Sequence, residues 1–300
     1  MEIVQFEPRM TAEVARCYNE LIEPLPDCYP VTADQFASVA GLAHGRVQDE
    51  EMLVARARDE VLGFVHVGIA LPATSADEPK GEPGIIRFLS YRPGARSVGQ
   101  ALLEWAEAWA RERGRAAIQA WDANYRYRFY HFGYAHLSER IGHVRALFGM
   151  NGYRELGGEL YLTWRDFVPP EPPRPELDFE LSLSWREGPI GPRLEARLHR
   201  GGKEVGACNL DRGQHSPGPA AAEWCYCDWL WVKEELQGKR LGLYLLCAAL
   251  AEAKRAGCRH VSISTGGQNY RAQLMYTNMG YRVADYTVCF AKGLGSATGD

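Results

Sequence analysis

Several absences narrow the function classes before any motif is read. The 300 residues carry 34 Lys and Arg against 38 Asp and Glu, and the cations are scattered rather than gathered into blocks. Binding to nucleic acid needs a clustered basic footprint, so no nucleic-acid partner is expected. The stretch MEIVQFEPRM lacks a basic start followed by an apolar core, and no apolar run approaches the ~20 residues of a membrane span. A soluble, cytoplasmic chain with no membrane partner is expected. The eight cysteines have no framework spacing, which argues for reduced thiols. Cys225 and Cys227 form a C-x-C pair inside WCYCDWLWV, a strand-like stretch that would point both side chains to one face. Structural zinc sites use paired C-x-x-C knuckles; no second pair is present, and the histidines are isolated with no H-E-x-x-H. No metal is expected.

What is present is enough apolar material, 46% of the residues, for one large core or two ordinary ones. Residues 167–179, FVPPEPPRPELDF, hold five prolines and few large apolar side chains, and so form an extended linker. The expected division is a first domain over 1–168, a linker over 169–176 and a second domain over 177–300. The two sides repeat each other. Gly63, Gly99 and Gly114 recur at Gly206, Gly242 and Gly257, each offset by 143 residues. Further on, Phe148 and Gly152 of LFGMNGYRE match Tyr276 and Gly280 of MYTNMGYRV at an offset of 128, so the first half holds 15 additional residues. Each half reads as strands, a glycine loop, an amphipathic helix, a strand, a second helix and a last strand. That alternation predicts two tandem α/β domains with mixed sheets. Trp224–Val232 and Arg259–Ser264 are expected as neighbouring central strands, with a helix over Leu241–Ala256 between them that Gly257 caps.

The loop before that helix, QGKRLG, joins two glycines and two cations to a helix start. A helix N-terminus presents unpaired N–H groups and the positive end of the dipole, which suits a diphosphate. Gly238 permits an unusual turn, and Gly242 removes a side chain where a ligand would come close. The loop lacks the Ser or Thr of a P-loop and the spacing of a dinucleotide fingerprint. Alone, these six residues also fit an ordinary capped helix.

Their context is more specific. QGKRLG after the strand WLWV, with NYRAQLMYTNMGYR downstream, resembles the GNAT superfamily of acetyl-CoA-dependent N-acyltransferases. The family's loop pattern falls on Gln237 and Gly242, with Arg240 standing where a small residue is usual. Its later pattern falls on Asn269, Ala272 and Tyr276. The resemblance covers the chain from Trp224 onward, and the first half only through the repeat. It implies two tandem GNAT-like domains, acetyl-CoA as acyl donor, and cofactor contacts from Leu230, Trp231, Val232, Gln237, Gly238, Lys239, Arg240, Leu241, Gly242 and Asn269. Tyr276 takes the place of the family's general acid, a phenol able to give a proton to a departing thiolate. By strand alternation Asp228 shares a face with Leu230 and Val232, which makes it a candidate base, with Glu223 second. In the first half Gly94, Ser97, Ile141, Val144 and Phe148 replace Gln237, Arg240, Asn269, Ala272 and Tyr276, so only the second half is expected to be catalytic.

The second half lacks the two helices that the first carries in TAEVARCYNELIEPLP and TADQFASVAGLA, and these cover the acceptor site in the family. Its site is therefore expected to be open, or walled by the first domain or by a second subunit, as in a homodimer. The aromatic stretch WDANYRYRFYHFGYAHLSER is read first as packing and second as an acceptor-recognition surface. The expected function is acetyl transfer from acetyl-CoA to an amine, preferentially of a small molecule. A non-catalytic acyl-CoA sensor and an acetyltransferase acting on a protein amine are the alternatives.

Overall fold

The computed structural model describes residues 1–40, 46–58, 60–71, 82–125, 127, 130, 136–173, 175–176, 178–188, 191–213 and 219–295. It divides into two compact units. In the first, strands β1 (Glu2–Gln5), β2 (Val47–Ala57), β3 (Glu60–Ala70), β4 (Gly84–Tyr91) and β5 (Ala117–Ala120) lie in chain order. Neighbours are antiparallel except β4 and β5, which are parallel. The parallel step needs a crossover, and helix α3 (Arg96–Glu112) supplies it. Helices α1 (Thr11–Ile22) and α2 (Ala33–Ala40) precede β2. The two sets of helices cover opposite faces. Phe64 stacks edge-on against Phe36 of α2, whereas a Cβ on its neighbour Gly63 would come within 3.2 Å of Val98 of α3. A short strand β6 (Leu137–Ser138) and helix α4 (Gly142–Met150) complete this part.

In the second unit strands β8 (Glu180–Glu187), β9 (Pro192–Arg200), β10 (Lys203–Arg212), β11 (Trp224–Val232) and β12 (His260–Gly266) repeat the pattern. The β11–β12 pair is again the parallel one, crossed by helix α5 (Leu241–Arg255). Helix α6 (Tyr270–Met279) follows β12. The expected central strands and their intervening helix are thus found, and Gly257, with φ +95°, ends α5 in the conformation that only glycine adopts without cost. Between β8 and β9, where the first unit has α1 and α2, the described residues form only a turn.

The units do not follow the expected division at 168 and 177. The last strand of the first half, β7 (Arg154–Trp164), sends Glu159–Trp164 to pair antiparallel with β12 in the second unit. The last strand of the chain, β13 (Arg282–Gly293), pairs antiparallel with β5 in the first unit, from Phe290 opposite Ala120 to Gly293 opposite Ala117. The later part of each half's final strand, Glu159–Trp164 and Tyr286–Gly293, is therefore grouped with the other unit. The proline-rich stretch lies between β7 and β8, and its Arg174 lies outside the described residues.

The first unit's core is aromatic: Tyr18, Phe36, Phe64, Phe88, Trp121, Tyr127 and Tyr130 are all buried in one cluster. Trp121, Tyr127 and Tyr130 belong to the aromatic stretch 121–140, and these three pack, as expected first. Arg126, Arg128, Phe129 and residues 131–135 of that stretch lie outside the described residues. The second unit packs Leu245, Leu246, Ala249 and Ala253 of α5 against Cys208, Leu210, Cys225 and Cys227 of the sheet. All eight cysteines are free thiols.

Candidate functional site

The site begins with a defect in pairing. Between β10 and β11, Asn209 faces Trp229 and Leu210 faces Cys227, so Asp228 is one residue too many and forms a bulge. Just there β11 parts from β12, since their parallel pairing runs only from Trp224–His260 to Cys227–Ile263. Past the bulge, Leu230, Trp231 and Val232 line the floor of a cleft of about 1150 Å3. The cleft runs between the splayed end of β11, the start of α5 and one side of α6.

The loop that enters α5 is bent by two left-handed residues, Gly238 at φ +79° and Arg240 at φ +61°. Gln237 holds the loop to the strand, its Nε2 donating to the Val232 carbonyl at 3.1 Å. The first turn of α5 carries no side-chain cap, and the bond from the Tyr244 N–H to the Arg240 carbonyl is the first the helix makes. The N–H groups of Leu241, Gly242 and Leu243 thus have no acceptor in the helix. A Cβ built on Gly242 would meet nothing nearer than Val232 Cγ2 at 3.9 Å, so the space in front of the helix start is open. Unpaired donors, a helix dipole and that open cradle fit a diphosphate, the group by which acetyl-CoA would be held.

On the opposite wall Asn269 caps α6, accepting a bond from the Ala272 N–H at 3.3 Å. Its carboxamide NH2 is left to serve the cleft. Tyr276 lies about two turns further along, 5% exposed, against Tyr281 at a ring separation of 5.7 Å. Burial pushes its phenol well above the usual range, with Cys227 and Cys208 nearby adding to the effect. The group therefore keeps its proton at neutral pH, as an acid must.

Of the positions expected from sequence, Leu230, Trp231, Val232, Gln237, Gly238, Arg240, Leu241, Gly242, Asn269 and Tyr276 line this one cleft, whereas Lys239 and Asp228 do not. Lys239 is exposed beside it. For Asp228 the alternation argument breaks at the bulge. Leu230 and Val232 share the face of Cys225 and Cys227, all packed on the same core, while Trp224 and Tyr226 form the opposite face. The Asp228 carboxylate instead accepts from Arg193 Nη2 at 2.7 Å, and that guanidinium also grips the buried Asp211 at 2.6 Å through both carboxylate oxygens. Glu223, at the other end of β11, pairs with Arg259 at 3.3 Å. Sequence reasoning missed Arg271, Leu274, Met275 and Asn278, which complete the α6 wall. Their signal was positional: they interleave with Asn269, Ala272 and Tyr276 along the same helix.

The first unit keeps the outline and loses the cradle. The equivalent bulge falls at Arg87, because His66 faces Phe88 and Val67 faces Ile86. From there the two halves are offset by 141 residues, so Tyr91 stands where Val232 does, and the loop to Gly99 is two residues shorter than the loop to Gly242. Helix α3 already begins at Arg96, ahead of Ser97, and Gly94 is the loop's one left-handed residue. The Tyr91 ring fills the cradle: a Cβ on Gly99 would sit 2.4 Å from it. His143 of α4 locks that ring, exchanging bonds of 2.8 and 2.9 Å with the Tyr91 hydroxyl and carbonyl. Ile141 replaces Asn269 at the helix cap and makes no side-chain cap. Phe148 replaces Tyr276 and is fully buried, stacked on Phe290 at 5.3 Å.

Residues 160–281 match the profile of the Acetyltransferase (GNAT) family. No curated protein sequence matches the chain. Among solved structures, the chain is similar to a tandem GNAT protein from the clavulanic acid biosynthesis pathway, solved without AcCoA, with a TM-score of 0.72, 15% identity and 98% of each chain covered. It is also similar to a GCN5-related N-acetyltransferase from Sphaerobacter thermophilus, with a TM-score of 0.64, 17% identity, and 98% of this chain and 96% of that one covered. A third similar structure is a GCN5-related glucosamine N-acetyltransferase region of a fungal multi-domain GH3 β-N-acetylglucosaminidase, with a TM-score of 0.69, 14% identity, and 97% of this chain and 38% of that one covered. At these identities the structural likeness is one of fold. The chain thus has the fold of tandem GNAT structures, and residues 160–281 are the part that matches the family profile.

Proposed function

We propose that the second unit transfers an acetyl group from acetyl-CoA to the amine of a small molecule. The observation that carries this reading is the convergence, in one cleft, of an open glycine-lined helix start and a buried phenol that retains its proton. The thioester of acetyl-CoA supplies the acetyl group and a thiolate leaving group. Gly238 to Gly242 hold the diphosphate through backbone donors, and Asn269 offers its NH2 to the cofactor's amide arm. Leu230 to Val232, freed from β12 by the bulge, present backbone polar groups along the acyl end, where fixed dipoles stabilise developing charge. Tyr276 gives its proton to the departing sulfur.

A small acceptor is favoured over a peptide by the charges on β8 to β11. Arg186, Glu195, Arg197 and Glu204 are linked in series, and Arg193 is committed to Asp211 and Asp228. No row of one sign is left there to guide a charged polypeptide. The test is release of free thiol from acetyl-CoA in the presence of small amines and of peptide amines, with Tyr276→Phe as the matched control. Release with small amines that falls in the variant supports the reading. Tight acetyl-CoA binding with no release for any amine would make the protein a sensor, and release with peptides alone would overturn the acceptor class.

A further inference from the structure

The bulge that opens β11 is clamped, and the same clamp occurs twice in the chain with its charges exchanged. In the second unit the bulge residue Asp228 is held by Arg193, on β9. In the first unit the bulge residue Arg87 is held by Glu50, on β2. The two pairs occupy equivalent places: Glu50 and Arg193 are related by the 143-residue offset of the outer strands, and Arg87 and Asp228 by the 141-residue offset at the bulge. The two halves share neither the sign at the bulge nor the residue types, yet both close the same ion pair. A carboxylate kept at the bulge for proton abstraction would not be interchangeable with a guanidinium, whereas one half of a fastener would be.

We infer that Arg193 is a positioning residue for the acyl-transfer site and that Asp228 is its anchor rather than the base. The inference rests on the proposed function. An antiparallel pair with one surplus residue can slip by one position, which would place Asp228 opposite Asn209 and turn every later side chain of β11 over. Holding Asp228 at 2.7 Å fixes which residue is surplus, and so fixes Leu230 to Val232 in the cleft. Arg193 is itself fixed by both oxygens of Asp211, 2% exposed, so the clamp has a rigid base. In the first unit the base differs, with Arg87 Nε donating to the Tyr125 carbonyl at 2.9 Å, and Gly68 stands at the position of Asp211.

Two variants of the full chain test this. Asp228→Ala breaks the clamp and leaves the Arg193–Asp211 pair in place, which protects the fold. The triple variant Arg193→Glu, Asp211→Gly, Asp228→Arg places the first unit's residues at these three positions, where position 228 cannot accept a proton. Amide hydrogen exchange over residues 225–232 reads the bulge without reference to activity, and thiol release reads the site. The expected results are about tenfold faster exchange in Asp228→Ala, and turnover lowered about 10²-fold, the scale of a misplaced reacting group, with acetyl-CoA affinity little changed and an unaltered pH profile. The triple variant restores slow exchange and at least a tenth of the turnover. Unchanged exchange in Asp228→Ala overturns the inference, as does loss of the acidic limb of its pH profile. If the triple variant does not fold, Asp228→Arg alone decides by exchange: facing Arg193 with like charge, it must be at least as fast as Asp228→Ala. An unmodified protein that releases no thiol with any amine defeats the proposed function, while the exchange results still decide the clamp.

Discussion

Tyr276 and Phe148 occupy the same place in the two repeats and differ by one oxygen. Tyr276→Phe is expected to lower turnover by about 10² to 10⁴ with acetyl-CoA affinity nearly unchanged, as steady-state rates and calorimetry would report. Phe148→Ala should act through stability instead, lowering it by about 3 to 5 kcal/mol in denaturant titrations, because it empties a fully buried site. The pH dependence follows in sign from Tyr276. Its folded value is raised by burial, so the protonated form persists above the free phenol's pKa, and turnover should show no alkaline loss below about pH 10 from this group. For stability, the contribution of this phenol and of buried Tyr18 and Tyr281 is fully present below about pH 10 and is lost as pH rises beyond it. Arg240 carries strain that its sequence neighbours do not reveal. Its φ of +61° suits glycine, so Arg240→Gly should be more stable than Arg240→Ala by about 1 kcal/mol in thermal melts. Tyr276, Asn269 and Gly242 were legible because each sits at a fixed step from a motif. Asp228 was not, since a bulge inserts a residue into a two-residue period and alternation alone does not register it.

Helices α3 and α5 make the same crossover in their sheets and differ in what stands in front of them. A side chain on Gly242 meets open space, whereas one on Gly99 meets the Tyr91 ring. Gly242→Val is therefore expected to fold and to lose acetyl-CoA, because the added atoms enter the cradle. Gly99→Ala should leave acetyl-CoA affinity alone and cost about 1 to 3 kcal/mol of stability by overpacking. Differential scanning calorimetry and binding titrations on both variants would separate the effects. The strand and helix order was readable from glycine positions and periodicity, since turns and caps impose glycine where φ is positive. That Tyr91 plugs the first cradle was not readable, because it depends on a loop two residues shorter rather than on any altered motif.

At the scale of the whole chain, the repeat was legible but the exchange of last strands was not. A final strand has the same pattern whichever sheet receives it, and the proline-rich stretch looks like a boundary although β7 and β13 have already crossed it. A fragment of residues 177–300 lacks β7, leaving the edge of β12 unpaired, and carries β13 without β5. It should be insoluble alone and recover when produced together with residues 1–176, as soluble yield and circular dichroism would show. The two units are unequal in chemistry: one has an open cradle and a phenol, the other a filled cradle and a phenyl. The most direct test is titration of the full chain with acetyl-CoA by calorimetry, in the unmodified protein and in Gly242→Val. One molecule bound per chain, with binding absent in the folded variant, is the predicted result; two bound per chain, or undiminished binding in Gly242→Val, would contradict the assignment of the cofactor to the second unit.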